Sequence, residues 1–250
     1  MNQTLKRSIG VLGWGFILAQ SLLPAFAHAA SPCDLRAVQQ QLQGAKMTND
    51  SDSLETIRAA LTVRKTILKT LIVCGHDDAV LLRDTVQALS LHDERLKALQ
   101  QTLVSKLNDA IASYDIYISK VDGVGIRGSQ DIARSLLTWR KEAYVPLEAR
   151  ALHVIIWANN QDIFDKAGKR IVQLSQTMRS LSLIDNEEIN DTFAKAQTSF
   201  RAAERANENA RALLLQNSPV SDELPTIKRS LELLAETYAQ LFHLSSILGR

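Results

Sequence analysis

From Leu54 onward, apolar residues recur at steps of three and four, and little interrupts that rhythm. Leu99, Leu103, Leu107, Ala110, Tyr114, Ile118 and Val121 form one stripe; Ile189, Phe193, Ala196, Phe200, Ala203, Asn207, Ala210 and Leu214 form another. Residues so spaced share one face of an α-helix, so each stripe specifies an amphipathic helix with a buried seam. Ten Gly and five Pro in 250 residues are too few for the turns of an all-β fold. The expected class is all-α: an elongated antiparallel helical bundle with long, coiled-coil-like helices.

Local signals divide the stripes. Ser31-Pro32-Cys33-Asp34 reads as an N-cap, a Pro at the first helical position and an acid, opening a short helix that stops before Gly44. Ser51 or Ser53 starts a second, with Leu54, Ile57, Leu61 and Leu71 on one face, ending at Gly75. Between Asp77 and Val121 the sequence holds no breaker. A helix of about 45 residues would be about 67 Å long, against a radius of gyration of roughly 17 Å for a globule of the length left after residue 29. Elongation is the expectation.

Gly123, Gly125 and Gly128 predict an interhelical turn, with Ser129 and Asp131 capping a helix that carries Ile132, Leu136 and Trp139. If two antiparallel helices meet there, Trp139 should reach Ile111 and Tyr114, and Tyr144 should reach Leu107. Pro146 should kink that helix, and Ala158 to Asp162 reads as a second interruption; one bent helix or two remains open at this point. Acids from Asp185 to Glu188 suit a further helix start. Ser218-Pro219 and Ser221 to Pro225 predict the last turn, before a helix lined by Leu224, Ile227, Leu231, Leu234, Tyr238, Leu241 and Leu248.

The N-terminus has the parts of a secretory signal: Lys6 and Arg7, an apolar stretch from Ile9 to Leu23, and small residues up to Ala29. That stretch is shorter than the ~20 residues of a transmembrane helix. Cleavage after Ala29 is expected, leaving residues 30–250 as a single elongated helical domain, extracytoplasmic (periplasmic or secreted), with no transmembrane helix. Loss of Lys6 and Arg7 leaves 27 basic against 27 acidic residues, so the formal charge of +2 falls to zero. A neutral chain lacks the footprint of a nucleic-acid binder.

Cys33 and Cys74 are the two cysteines, and in an exported chain they are expected to form one disulfide. Closing that loop should stabilise the fold by roughly 3 to 4 kcal/mol. A bridged pair leaves no thiol for catalysis.

The remaining chemical signals are weak. Gly123-Val124-Gly125-Ile126-Arg127-Gly128 matches the dinucleotide pattern G-x-G-x-x-G, but the helical period that follows supplies no second strand. His76-Asp77-Asp78 and His92-Asp93-Glu94 look like metal half-sites, yet on one helix a separation of 16 turns them roughly 160° apart. Neither a Glu-x-x-His pair on each of two helices nor C-x-x-C-H is present, so no metal or cofactor is expected. His153 and His243 are isolated and read as satisfied positions. Carboxylate pairs such as Glu204 with Glu208 sit among Arg residues on solvated faces, so no catalytic residue stands out. Tyr114, Tyr117, Trp139, Tyr144 and Trp157 are the aromatics that could serve an interaction surface, although aromatics at helical spacing are more often core.

The expected function is that of an exported, non-catalytic helical interaction or structural protein of the cell envelope or exterior, with a protein partner or self-association. A small-ligand-binding or sensor-like bundle is the first alternative, marked by a pocket of a few hundred Å³ with convergent polar groups. An envelope enzyme with a carboxylate site is the second, marked by a cleft holding two carboxylates of perturbed pKa.

Overall fold

The computed structural model describes residues 54–182, 185–216 and 219–248. The expected signal segment, the helix expected before Gly44, and Cys33 with its expected disulfide all fall outside the described residues. The chain forms an all-α bundle of α1 (Leu54–Gln87), α2 (Glu94–Val121), α3 (Ile126–Trp139), a π-helical turn (Arg140–Tyr144), α4 (Val145–Ser180), α5 (Glu187–Leu215) and α6 (Val220–Leu248). Among the described residues there is no strand.

Two apolar cores lie along this bundle. One joins Leu68, Ile72, Leu82 and Val86 of α1 to Leu103, Leu107 and Tyr114 of α2, and to Ile132, Tyr144, Val154 and Ile155. The other joins Phe164, Ile171 and Met178 of α4 to Phe193 and Phe200 of α5 and to Leu234, Leu241 and Leu244 of α6. α4 runs through both. All eight residues of the α5 stripe are buried, and Ala196, Ala203 and Ala210 at its seam leave room for close helix approach.

Four expectations are corrected. First, the second helix does not end at Gly75. α1 continues through it to Gln87, and Gly75 is buried within the helix rather than terminating it. A Cβ there would stand 2.7 Å from Cε1, Cζ and Oη of Tyr114, so the glycine serves close helix packing.

Second, the continuous helix from Asp77 to Val121 is not formed. The chain turns at residues 88–93, where Asp93 accepts hydrogen bonds from the backbone N–H groups of Arg95 (2.8 Å) and Leu96 (3.1 Å) and so caps α2. Gln100 Nε2 donates to the carbonyls of Val86 (2.8 Å) and Leu89 (2.9 Å) at the end of α1. Lys65 and Lys69 of α1 reach Asp122 at the far end of α2, which makes the two helices an antiparallel hairpin. The helix on which the expected elongation rests is thus replaced by a hairpin.

Third, the helix after the glycine cluster starts at Ile126, with Gly125 as its N-cap (φ −86°, ψ −166°), and not at Ser129 or Asp131. Ser129 is buried in the first turns and donates its hydroxyl to the Ile126 carbonyl at 2.7 Å. Neither Gly123 nor Gly125 has an atom within 4 Å of an added Cβ, whereas one on Gly128 would meet Val124 Cβ at 2.7 Å.

Fourth, α6 begins at Val220 and takes Pro225 into its second turn, so residues 221–225 are helical instead of forming the last turn. Beyond the first turn a proline removes one bond of the ladder, so this end of α6 is helical in spite of Pro225.

The two suspected interruptions of the central helix resolve differently. Asn159 to Asp162 is continuous helix, in which Asn160 and Gln161 turn their amides back onto the carbonyls of Ile156 and Trp157, each at 2.7 Å. Pro146 leaves its mark one turn earlier. Lacking an N–H and crowding the carbonyl four residues back, it displaces the α-helical ladder, and the N–H of Val145 bonds the Arg140 carbonyl, five residues back.

Candidate binding groove beside the π turn

The π turn decides where the aromatic side chains go. On an α-helix, residues five apart point about 140° from each other. The wider turn brings Trp139 and Tyr144 onto one face, with ring centroids 5.9 Å apart and planes inclined by 27°. Tyr114 of α2 meets both edge-on, at 5.0 Å from Trp139 and 5.6 Å from Tyr144. Tyr117 lies 5.9 Å from Trp139, and its hydroxyl is 3.0 Å from Ser135 Oγ. The Arg140 guanidinium carbon sits 5.7 Å from the Tyr144 ring centroid.

Trp139 therefore meets Tyr114 as the hairpin spacing requires. Tyr144, expected against Leu107, has its ring on Tyr114 because of the π turn; Leu107 belongs to the same core. Tyr114 and Tyr144 are 0% and 1% exposed, and Trp157 is buried. Trp139 and Tyr117 are partly open.

Beside this cluster, between α2 and the junction of the π turn with α4, lies an open groove of about 390 Å³. Leu99, Leu103, Trp139, Tyr144 and Leu147 give it an apolar floor. Thr102, Lys106, Asp109 and Ser113 of α2 line its polar rim, and Ala143 faces it from the π turn.

On the α1 side, burial dominates the electrostatics. It raises the Tyr114 phenol to about 12 and moves Tyr144 upward as well. Both hydroxyls are buried without a hydrogen-bond partner. Glu148, half-buried on α4, is raised first by desolvation, with Asp78 adding to the shift and Arg140 opposing it.

A second polar group is buried where α4 meets α6. Glu223, 0% exposed in the first turn of α6, lies 2.8 Å from His153 Nδ1 and makes an ionic contact of 3.1 Å with Arg150 Nη2. Arg150 also donates to the Leu214 carbonyl at 3.3 Å. Nothing local in the sequence links residues 70 apart, and only the stacking of α6 on α4 shows that His153 is a satisfied core histidine.

The histidine half-sites stay apart. His76 lies 3.0 Å from Asp77 and 3.6 Å from Asp115, while His92 is exposed beside the capping Asp93. Among the described residues no three His, Cys, Asp or Glu side chains gather as metal ligands, and no helix is long and apolar enough to cross a membrane. Gly123 and Gly125 stand in the connection between α2 and α3, which has no flanking strand, whereas Gly128, expected in the same turn, lies in the first turn of α3. Compared with known protein families, curated proteins and solved structures, the chain matches none.

Proposed function

We infer that this is an exported helical-bundle protein that works by binding rather than by chemistry, and that its binding site is the groove beside the π turn. The groove itself carries the reading: an apolar floor framed by aromatic rings, with a polar rim on one side, suits the apolar side chains of a protein partner. Its volume favours a second reading, a small amphiphilic ligand, since small-molecule sites begin at roughly 300 Å³. The basic, apolar and small-residue order of residues 1–29 supports export and cleavage after Ala29. In that compartment Cys74, 8% exposed on α1, pairs with Cys33 and staples the segment before α1 onto the bundle.

The test is capture of bound molecules by the tagged mature protein from its own envelope fraction, followed by mass spectrometry under native conditions. Ala143→Trp, at an exposed position on the groove wall, should remove whatever is held there while leaving the helical content intact. A captured polypeptide lost on that substitution supports the first reading, and a captured small molecule lost on it supports the second. Capture that ignores it, or no capture at all, rejects the groove.

A further inference from the structure

Away from that groove, α4 and α5 enclose a second depression. Two cavities of about 290 and 530 Å³ share Gly168, Phe200 and Glu204 and form one trough along the helix pair. Phe164, Ile171 and Phe200 make its apolar floor, and Gly168 opens it, the site of its absent Cβ lying 3.3 Å from the Phe200 ring. Val172, one turn beyond Gly168, stands 56% exposed at the narrow end.

The lips carry the informative charges. Asp165 and Lys169 line the trough from α4, and Arg201, Glu204 and Glu208 from α5. Their spacings of four and three suit ion pairs within a helix. Such pairs close on the same helices, at Asp162 with Lys166 (2.6 Å) and Asp191 with Lys195 (2.7 Å) outside the trough and at Glu208 with Arg211 (3.0 Å) on its edge. Among the described residues, Asp165, Lys169, Arg201 and Glu204 form no ion pair.

We propose that this trough is the docking face for a second copy of the same chain, related by a two-fold axis that crosses α4 near Gly168. A half-turn about that axis sets α4 on the second copy's α4 and α5 on its α5, each pair antiparallel. The α4 lip bears one acid and one base, and on the α5 lip Glu208 is already held by Arg211, which leaves Arg201 and Glu204. The rotation lays Asp165 toward Lys169 and Arg201 toward Glu204 of the other copy, twice over. The exposed Val172 of each copy enters the wide end of the other's trough, beside Phe164. A face that is its own complement is what an isologous dimer requires, and opposite charges at matching positions set its register. This assignment is independent of the groove beside the π turn.

Sedimentation of the mature full chain over a range of concentrations tests it. The wild-type protein should be a concentration-dependent dimer. Val172→Asp, Arg201→Glu and Glu204→Arg, all at exposed positions, should each weaken it roughly tenfold or more with unchanged helical content. The decisive arm mixes the two charge reversals: Arg201→Glu in one copy faces Glu204→Arg in the other, and the native pair faces itself. The mixture should therefore dimerise where neither variant does alone. A monomer at every concentration, a dimer indifferent to these substitutions, or a mixture that stays monomeric would overturn the assignment.

Discussion

The ring of Tyr114 occupies the space that a side chain on Gly75 would need: an added Cβ would lie 2.7 Å from three of its atoms. α1 and α2 approach each other there because one helix has no side chain and the other has a flat one.

Replacing Gly by Ala inside a helix ordinarily stabilises it by up to about 1 kcal/mol. Gly75→Ala should do the reverse, costing roughly 1 to 3 kcal/mol, because Tyr114 is fully buried and has nowhere to move. Gly123→Ala and Gly125→Ala, which meet open space and leave no positive φ to strain, should each change stability by less than about 1 kcal/mol. Urea denaturation of the three variants checks the contrast.

The buried phenols predict behaviour in alkali. Tyr114 rises from an ordinary value of 10.0 to about 12 in the folded protein. Between those values the folded state holds a proton that the unfolded state has released. This contribution is complete below pH 10 and is lost as pH climbs toward 12. Absorbance titration should show Tyr114 remaining un-ionised until the chain unfolds. Tyr114→Phe, which removes a buried hydroxyl without a partner, should leave stability at neutral pH equal or slightly higher and flatten its alkaline decline.

Asp93 should matter twice, as the cap of α2 and as the carboxylate held by Arg211 of α5. The backbone N–H of Leu96 is the main cause of its lowered pKa, with Arg211 and the N–H of Arg95 adding to it against burial. Its stabilising effect is present above its ordinary value of 3.8 and is lost as pH falls through the lower folded value. Asp93→Asn keeps a capping oxygen and should lower the melting temperature less than Asp93→Ala. Both should weaken the acid-side pH dependence of thermal melting.

Glu223 is the partner whose loss should be felt most. Glu223→Ala removes the carboxylate that the partly buried Arg150 guanidinium faces, while its bond to the Leu214 carbonyl stays, and should cost about 3 kcal/mol, the low end for breaking a buried pair. His153→Ala should cost less, because Glu223 keeps its contact with Arg150. Calorimetric melting of both variants gives the order, and a larger loss for His153→Ala would contradict it.

By itself the sequence determined the helical class and the faces of the helices. Period and burial are local matters, and the stripe from Ile189 to Leu214 is buried residue for residue. The encounter of Trp139 with Tyr114 was also readable, since two helices joined by a short turn must pair in sequence order. Helix ends were read less well. Asp93 and Glu94 carry a start signal, but it lies within an unbroken apolar rhythm, and Gly75 resembles a terminator although its function is to admit the Tyr114 ring. The tertiary structure alone decided that Pro146 would widen a helical turn instead of breaking the helix, because the aromatic core holds both sides of the turn in place. It alone brought Glu223 to His153 and Arg150, and Asp165, Lys169, Arg201 and Glu204 to one trough. Such groupings depend on which helices become neighbours, and the apolar period that makes a helix amphipathic says which face it buries, not which helix it buries that face against.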